Sequence, residues 1–208
     1  MTREAKEKSA SRLFASRVVA KVQAADPPDR QLVALLRARD ERGFELAYAR
    51  YAQRIFGFLF RLTRSREPAE DLFQHTFLRL AEQGSSLRRD SDLKAWLFAV
   101  ARNAFHSQFR SQAALSRFMS AQVDEASAPR LDSGLELNEL ELALGRLSAS
   151  DREILLLVGI EDLEQTEAAA VLGIDLVTLR KRLSRARARL AEALDALGNV
   201  VPKSEVRR

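Results

Sequence analysis

The chain has 208 residues, 46% hydrophobic and 30% charged, which is globular material for one or two modest cores and excludes a disordered polymer. Only 8 glycines and 5 prolines occur, favouring helices over a sheet protein with many tight turns, and the net charge of +5 comes with basic residues that cluster late, which fits a polyanion partner or a solvated surface equally until a motif decides. There is no cysteine and the two histidines, His75 and His106, fit neither HExxH nor a zinc finger, so disulfides and thiolate metal sites are excluded and no cofactor is expected.

Residues 1–29 form a charged N-terminal extension that ends in the helix-breaking Asp26-Pro27-Pro28-Asp29. Its apolar patch (Leu13, Phe14, Val18, Val19) is broken by Arg17 and Lys21, which argues against a secretory signal. No apolar run approaches the roughly 18 residues of a membrane span, and the lack of cysteine fits a reducing cytosol, so a cytoplasmic location without membrane insertion is expected. From Arg30 to Gln112 the pattern is helical. Leu32, Leu35 and Leu36 recur at helical spacing, as do Phe44, Tyr48, Tyr51, Ile55, Leu59 and Leu62, with Asp40 placed to cap the second helix. A break at Thr63 to Arg66 precedes a helix in which Pro68 takes a first position and Glu67, Glu70 and Asp71 meet the positive end of the dipole. After about Glu82 comes a polar loop, Gly84 to Ser91, and then a last helix from near Asp92 carrying Trp96, Leu97, Val100, Ala104 and Phe105. Residues 113–134, with Pro129 and Gly134 in a Ser/Ala-rich stretch, read as a linker. Residues 135–197 are helical again, and 198–208 form a tail. The expected fold class is all-α, with two helical domains joined by the linker.

The second domain carries a helix-turn-helix pattern. In Glu164 to Leu183, small Ala169 permits a close helix crossing, Gly173 suits the positive φ that ends the first helix, and Asp175 is a cap for the second. Ile174, Leu179 and Leu183 supply the inner face. Between Val177 and Leu190 the second helix has six basic residues and no acidic one, an uncompensated charge that makes sense when phosphates neutralise it. Side chains near its start would face base edges in the major groove.

The run Asp151-Arg152-Glu153-Ile154-Leu155-Leu156-Leu157, then the helix-turn-helix, then Arg180-Lys181-Arg182-Leu183-Ser184-Arg185-Ala186-Arg187, resembles the C-terminal domain of the extracytoplasmic-function (ECF) sigma factors of the sigma-70 family. Ala69 to Leu80 resembles their core-polymerase-binding helix, and Leu93 to Asn103 resembles the helix beside their downstream-element pocket. Two motif sets in the family's order, over roughly residues 30 to 195, are far more specific than either alone.

The resemblance implies a σ2-like domain at 30–112 and a σ4-like domain at 135–197, assembly with RNA polymerase core enzyme, and promoter recognition without catalytic activity. It places Glu70, Asp71, Gln74 and Leu78 on the clamp helices of the largest polymerase subunit. It makes the loop Gly84 to Ser91 the capture site for a flipped base of the minus ten element, with Arg88, Arg89 and Asn103 as candidates and Lys94 and Arg102 on the backbone of the melted strand. Phe98 and Phe105 are candidates to stack on unpaired bases, whereas Trp96 is assigned to packing. Arg180, Lys181, Ser184 and Arg185 match positions that read the minus thirty-five element in duplex DNA, Arg182 and Arg187 are assigned to phosphate, and Thr178 belongs to the same expected DNA-binding set. The family is commonly held by an anti-sigma factor, which is the third expected partner. Three positions depart from the family pattern: His75 stands where an acid is usual, Lys181 where a small polar residue is usual, and Leu176-Val177 where a small or proline-containing pair is commoner.

A helix-turn-helix repressor acting alone would have no use for the Glu70 to Leu80 pattern. A mimic that sequesters a regulator could dispense with the basic helix. An enzyme is disfavoured because no histidine or serine sits in a nucleophile or metal pattern and no glycine-rich phosphate loop exists.

Overall fold

Asp40 begins the order of the first domain. In the computed structural model, which describes residues 27–119 and 139–198, its carboxylate accepts the Arg42 backbone N–H at 3.0 Å, closing the junction between α1 (Asp29–Arg37) and α2 (Glu41–Thr63). Gly43 makes that junction possible, since a Cβ there would lie 2.7 Å from the backbone nitrogen of Leu36 and 2.8 Å from the Leu35 side chain. Helix α3 (Arg66–Gln83) starts at Arg66, earlier than expected, because Arg64 turns the chain with a positive φ of 56° and Pro68 is accommodated in the first turn, where its missing N–H leaves no bond unmade. A 3-10 turn (Gly84–Ser86) opens the expected polar loop, whose Leu87 is buried and whose carbonyl accepts from Arg37. Helix α4 (Leu93–Met119) is capped by Asp92, whose Oδ1 accepts the Ala95 N–H at 2.8 Å. It runs past Gln112 into the stretch expected as linker, because Ala113, Ala114 and Leu115 are strong helix formers. The extension through residue 26, the linker from 120 to 134 and the tail from 199 lie outside the described residues.

The first core gathers Leu32 and Val33 of α1, Ile55, Phe58 and Leu59 of α2, Leu80 of α3, and Leu93, Leu97 and Phe98 of α4, all fully buried. Burial of each such side chain contributes about 1.5–3 kcal/mol. Phe58 and Phe98 meet edge to face at 5.2 Å. Half-buried Tyr48 and Phe73 join Phe77 along the α2–α3 seam.

The second domain comprises α5 (Glu139–Arg146), α6 (Ala149–Leu155) with a π-helical turn (Leu156–Ile160), α7 (Gln165–Leu172) and α8 (Leu176–Gly198). A reciprocal capping box, in which the Glu164 N–H donates to Glu167 Oε2 at 2.9 Å, starts α7. Gly173, at φ 66°, ends it. The Asp175 carboxylate then accepts the Thr178 N–H at 2.8 Å and its hydroxyl at 2.6 Å, starting α8. Leu179, Leu183 and Ala186 of α8 and Ala168, Ala169 and Leu172 of α7 are buried in the core, and Ile174 packs half-buried against it. Among the described residues there is no strand, and no helix is long and apolar enough to cross a membrane.

Candidate nucleic-acid interface and the seam between the domains

Helix α8 presents its basic residues in two ways. The side chains of Lys181, Ser184, Arg185 and Arg187 are exposed and make no hydrogen bond or ion pair among the described residues. Arg182 turns inward to the Ser150 hydroxyl, and Arg189 Nη1 lies 2.6 Å from the Asp151 carboxylate, so both brace α8 against α6. Arg180 Nε donates to Gln165 Oε1 at 3.1 Å, tying it to the start of α7. Thr178 is occupied by the Asp175 cap, and these bonds hold the Asp175 carboxyl below its usual range. The expected set Thr178, Arg180, Lys181, Arg182, Ser184, Arg185 and Arg187 is therefore on one helix, with only part of it open to a ligand.

On α3, Asp71, Gln74 and Leu78 are exposed at helical spacing, and Leu78 keeps 58% of its surface in solvent. Glu70 is half-buried and paired with Arg66 at 2.7 Å. Two acceptors and an apolar knob along one stripe can dock on a basic and apolar surface.

Arg88, Arg89 and Asn103 of the downstream set are all exposed. Arg88 points to solvent beside Asp90 at 3.7 Å and Arg89 is exposed, whereas Asn103 lies ten residues along α4, about 15 Å from its start. The groove of about 410 Å³ beside the Gly84–Ser86 turn has Arg39, Asp40, Glu41 and Glu82 among its lining and contains neither Arg88 nor Asn103. Phe98 and Phe105 are core residues, at 0% and 2% exposure, which corrects their expected role in base stacking. Trp96 is half-buried against the core, as expected for packing.

Lys94 and Arg102 instead face the second domain. Lys94 Nζ donates to the Asp162 carbonyl at 2.6 Å. Arg102 Nε and His106 Nε2 both lie 2.9 Å from Glu153 Oε1, a carboxylate only 3% exposed. On α2, Arg54 Nε reaches Glu161 Oε2 at 2.9 Å and Arg61 Nε reaches Glu141 Oε1 at 2.8 Å. Burial pushes the Glu161 carboxyl up, against the pull of Arg54. Burial and the carboxyl of Asp92 across the seam push Glu167 up as well. Arg152, itself buried, donates to the carbonyls of Leu144 and Leu147 at 2.9 Å and of Leu62 in the first domain at 3.1 Å. Its guanidinium is brought down to about 10 by burial and by Arg64, and it remains charged at neutral pH. None of this seam is anticipated by the sequence reading. The signal available is Arg152-Glu153, two charges directly before an apolar run that has to be buried.

These features define a two-domain helical DNA-binding protein with a helix-turn-helix at its C-terminal end. The Sigma-70 region 2 family model matches residues 47–115 and the Sigma-70, region 4 model matches residues 137–190. The chain is 33% identical over 146 residues to the ECF RNA polymerase sigma factor EcfG of Rhodopseudomonas palustris, covering 66% of this chain and 77% of that one. Among solved structures it is similar to the sigma factor RpoE of Bartonella quintana, in complex with the anti-sigma factor NepR, with a TM-score of 0.63 and 32% identity over 74% of this chain and 98% of that one. It is also similar to CnrH in complex with the cytosolic domain of CnrY, with a TM-score of 0.61 and 26% identity over 81% and 97% of the two chains. The chain belongs to the ECF sigma factors of the sigma-70 family.

Proposed function

We propose that this chain binds RNA polymerase core enzyme through α3 and directs it to promoters through α4 and α8, supplying recognition while the polymerase supplies the chemistry. What carries the reading is the pairing, in one chain, of the exposed Asp71–Gln74–Leu78 stripe with the exposed Lys181–Ser184–Arg185 face of a capped recognition helix. On the first domain, Glu70, Asp71, Gln74 and Leu78 dock on the clamp helices. Lys94 and Arg102 hold the backbone of the melted downstream strand, and Arg88, Arg89 and Asn103 are the candidates for its flipped base. On α8, Arg180, Lys181, Ser184 and Arg185 read the upstream element, Arg187 takes phosphate, and Arg182 and Thr178 position the helix. An anti-sigma factor is the proposed regulatory partner, by analogy with the partners of RpoE and CnrH. The proposed location is the cytoplasm, where the polymerase works.

Run-off transcription with purified core enzyme over a genomic library tests the reading. Discrete start sites that require the chain are expected, and Asp71→Lys should abolish both transcription and capture by core enzyme. Unchanged capture by Asp71→Lys would remove α3 from the docking surface.

A further inference from the structure

The second domain turns one apolar side chain outward at the start of its basic helix. In the pair Leu176-Val177, Leu176 packs half-buried against the core, whereas Val177 keeps 60% of its surface in solvent. Among the described residues of α8 no other large apolar side chain is exposed. The sequence departs from the family pattern at this pair, so the resemblance gives Val177 no role. A lone exposed valine calls for no ligand by itself. Its place on the helix does. Val177, Lys181 and Ser184 are all exposed and lie within about 60° of one another around α8, on the face left open.

We infer that Val177 packs on the C5 methyl of a thymine and selects a T·A pair at one position of the site that α8 reads. The inference rests on the proposed function, in which α8 enters the major groove of the upstream element. The first residues of a recognition helix are the ones that meet base edges, and Val177 is the second residue of α8. The thymine methyl is the one apolar group that a base edge presents in that groove. Packing it on an aliphatic side chain takes apolar surface of both out of water, and no other base has a methyl to offer there.

Local order favours the contact. Val177 is β-branched and stiff at χ1, so little side-chain freedom is lost on binding. The Asp175 carboxylate just ahead of it accepts the Thr178 N–H at 2.8 Å and the Thr178 hydroxyl at 2.6 Å. Those bonds fix the first turn and engage the acid with its own helix. The register follows from helix geometry. Val177 stands four residues before Lys181, about 6 Å along the axis, and two base-pair steps span about 6.8 Å. The thymine therefore falls within about two base pairs of the position that Lys181 meets.

The test uses holoenzyme reconstituted from the full chain and core polymerase, with fluorescence anisotropy on promoter duplexes obtained by run-off transcription. Each thymine of the upstream element is replaced in turn by deoxyuridine, which pairs alike and lacks only the methyl. One replacement should weaken binding by the unaltered chain about three- to tenfold, the effect of one or two lost methyl contacts. Val177→Ala should weaken binding to the parent duplex by a similar factor and lose nothing further on the deoxyuridine duplex. A C·G pair at the same position should bind more weakly. There 5-methylcytosine, which restores the methyl alone, should recover part of the binding for the unaltered chain and none for Val177→Ala. Lys181→Ala should relax the base preference within two base pairs of that position. Val177 is exposed, and thermal melting checks that the alanine variant keeps its fold. Full additivity of the valine and deoxyuridine losses, indifference to every deoxyuridine, or no gain from 5-methylcytosine rejects the assignment. Holoenzyme that fails to distinguish an upstream element from a scrambled duplex would instead defeat the proposed function of α8, and the inference with it.

Discussion

Arg102 of α4 and Glu153 of α6 form an ion pair of 2.9 Å that joins the domain assigned to the melted strand to the domain assigned to the duplex. His106 Nε2 lies at the same distance from the same oxygen, so one buried acid faces two bases from successive turns of one helix. Burial cuts both ways for such a group: paired it is tolerated, and unpaired it costs several kcal/mol. Whatever separates the domains has to offer Arg102 another anion, and a DNA phosphate is one.

The seam should close more tightly in weak acid. The carboxyls of Glu161 and Glu167 are both pushed above their usual range in the closed form, Glu161 by burial against Arg54, Arg61 and Lys94, and Glu167 by burial beside Asp92. An acid whose pKa is raised on closure favours the closed form below its open-state value, and that contribution is lost as pH rises through the raised value. Energy transfer between dyes on the two domains should therefore report more closed chain near pH 5 than near pH 7.5. Replacing Glu161 and Glu167 by glutamine should flatten the dependence, and a profile that runs the other way would contradict the burial of these acids.

Arg152→Lys should be costly although it keeps the charge. The guanidinium serves carbonyls of Leu144, Leu147 and Leu62 from one planar fork, and an ammonium on a flexible stem does not span all three. Two or more buried acceptors left without a donor should cost at least about 2 kcal/mol. The urea midpoint measures it, and an unchanged midpoint would mean that these carbonyls find water instead.

The helix-turn-helix was legible residue by residue because its constraints are local. Gly173 has the left-handed backbone its position calls for, Asp175 caps, and Leu179 and Leu183 face inward. The seam was not legible because Arg54 and Glu161 are 107 residues apart in the chain and nothing in their local spacing links them. Phe98 and Phe105 illustrate a second limit: an aromatic at helical spacing reads equally as core or as a stacking platform until its face of the helix is known. Arg182 and Arg189 show the same for charge, since a basic run does not reveal which members turn back to Ser150 and Asp151.

Gly173→Ala tests the local logic. A Cβ at φ 66° strains the backbone by about 1–2 kcal/mol, while no atom stands within 4 Å to clash with it. Thermal melting should fall by that amount, and Gly173→Asn should fall less, since asparagine tolerates this conformation. Equal stability of all three would show that the turn relaxes to negative φ.

Arg185 and Arg187 offer the sharpest division of labour on α8. Both are exposed and carry the same charge, yet two residues at 100° each place them about 200° apart around the helix, so they cannot face the same base edges. Arg185 shares its face with Lys181, one turn before it, which the proposed function turns into the groove. Arg185→Ala should weaken binding by about 1–3 kcal/mol on the cognate upstream element and relax the preference at one base pair. Arg187→Ala should weaken binding to every duplex alike and reduce the slope of log affinity against log salt by about 1. Anisotropy titrations on cognate and scrambled duplexes at several salt concentrations separate the two outcomes. Exchange of the two patterns would mean that α8 enters the groove rotated by about half a turn from the orientation proposed here.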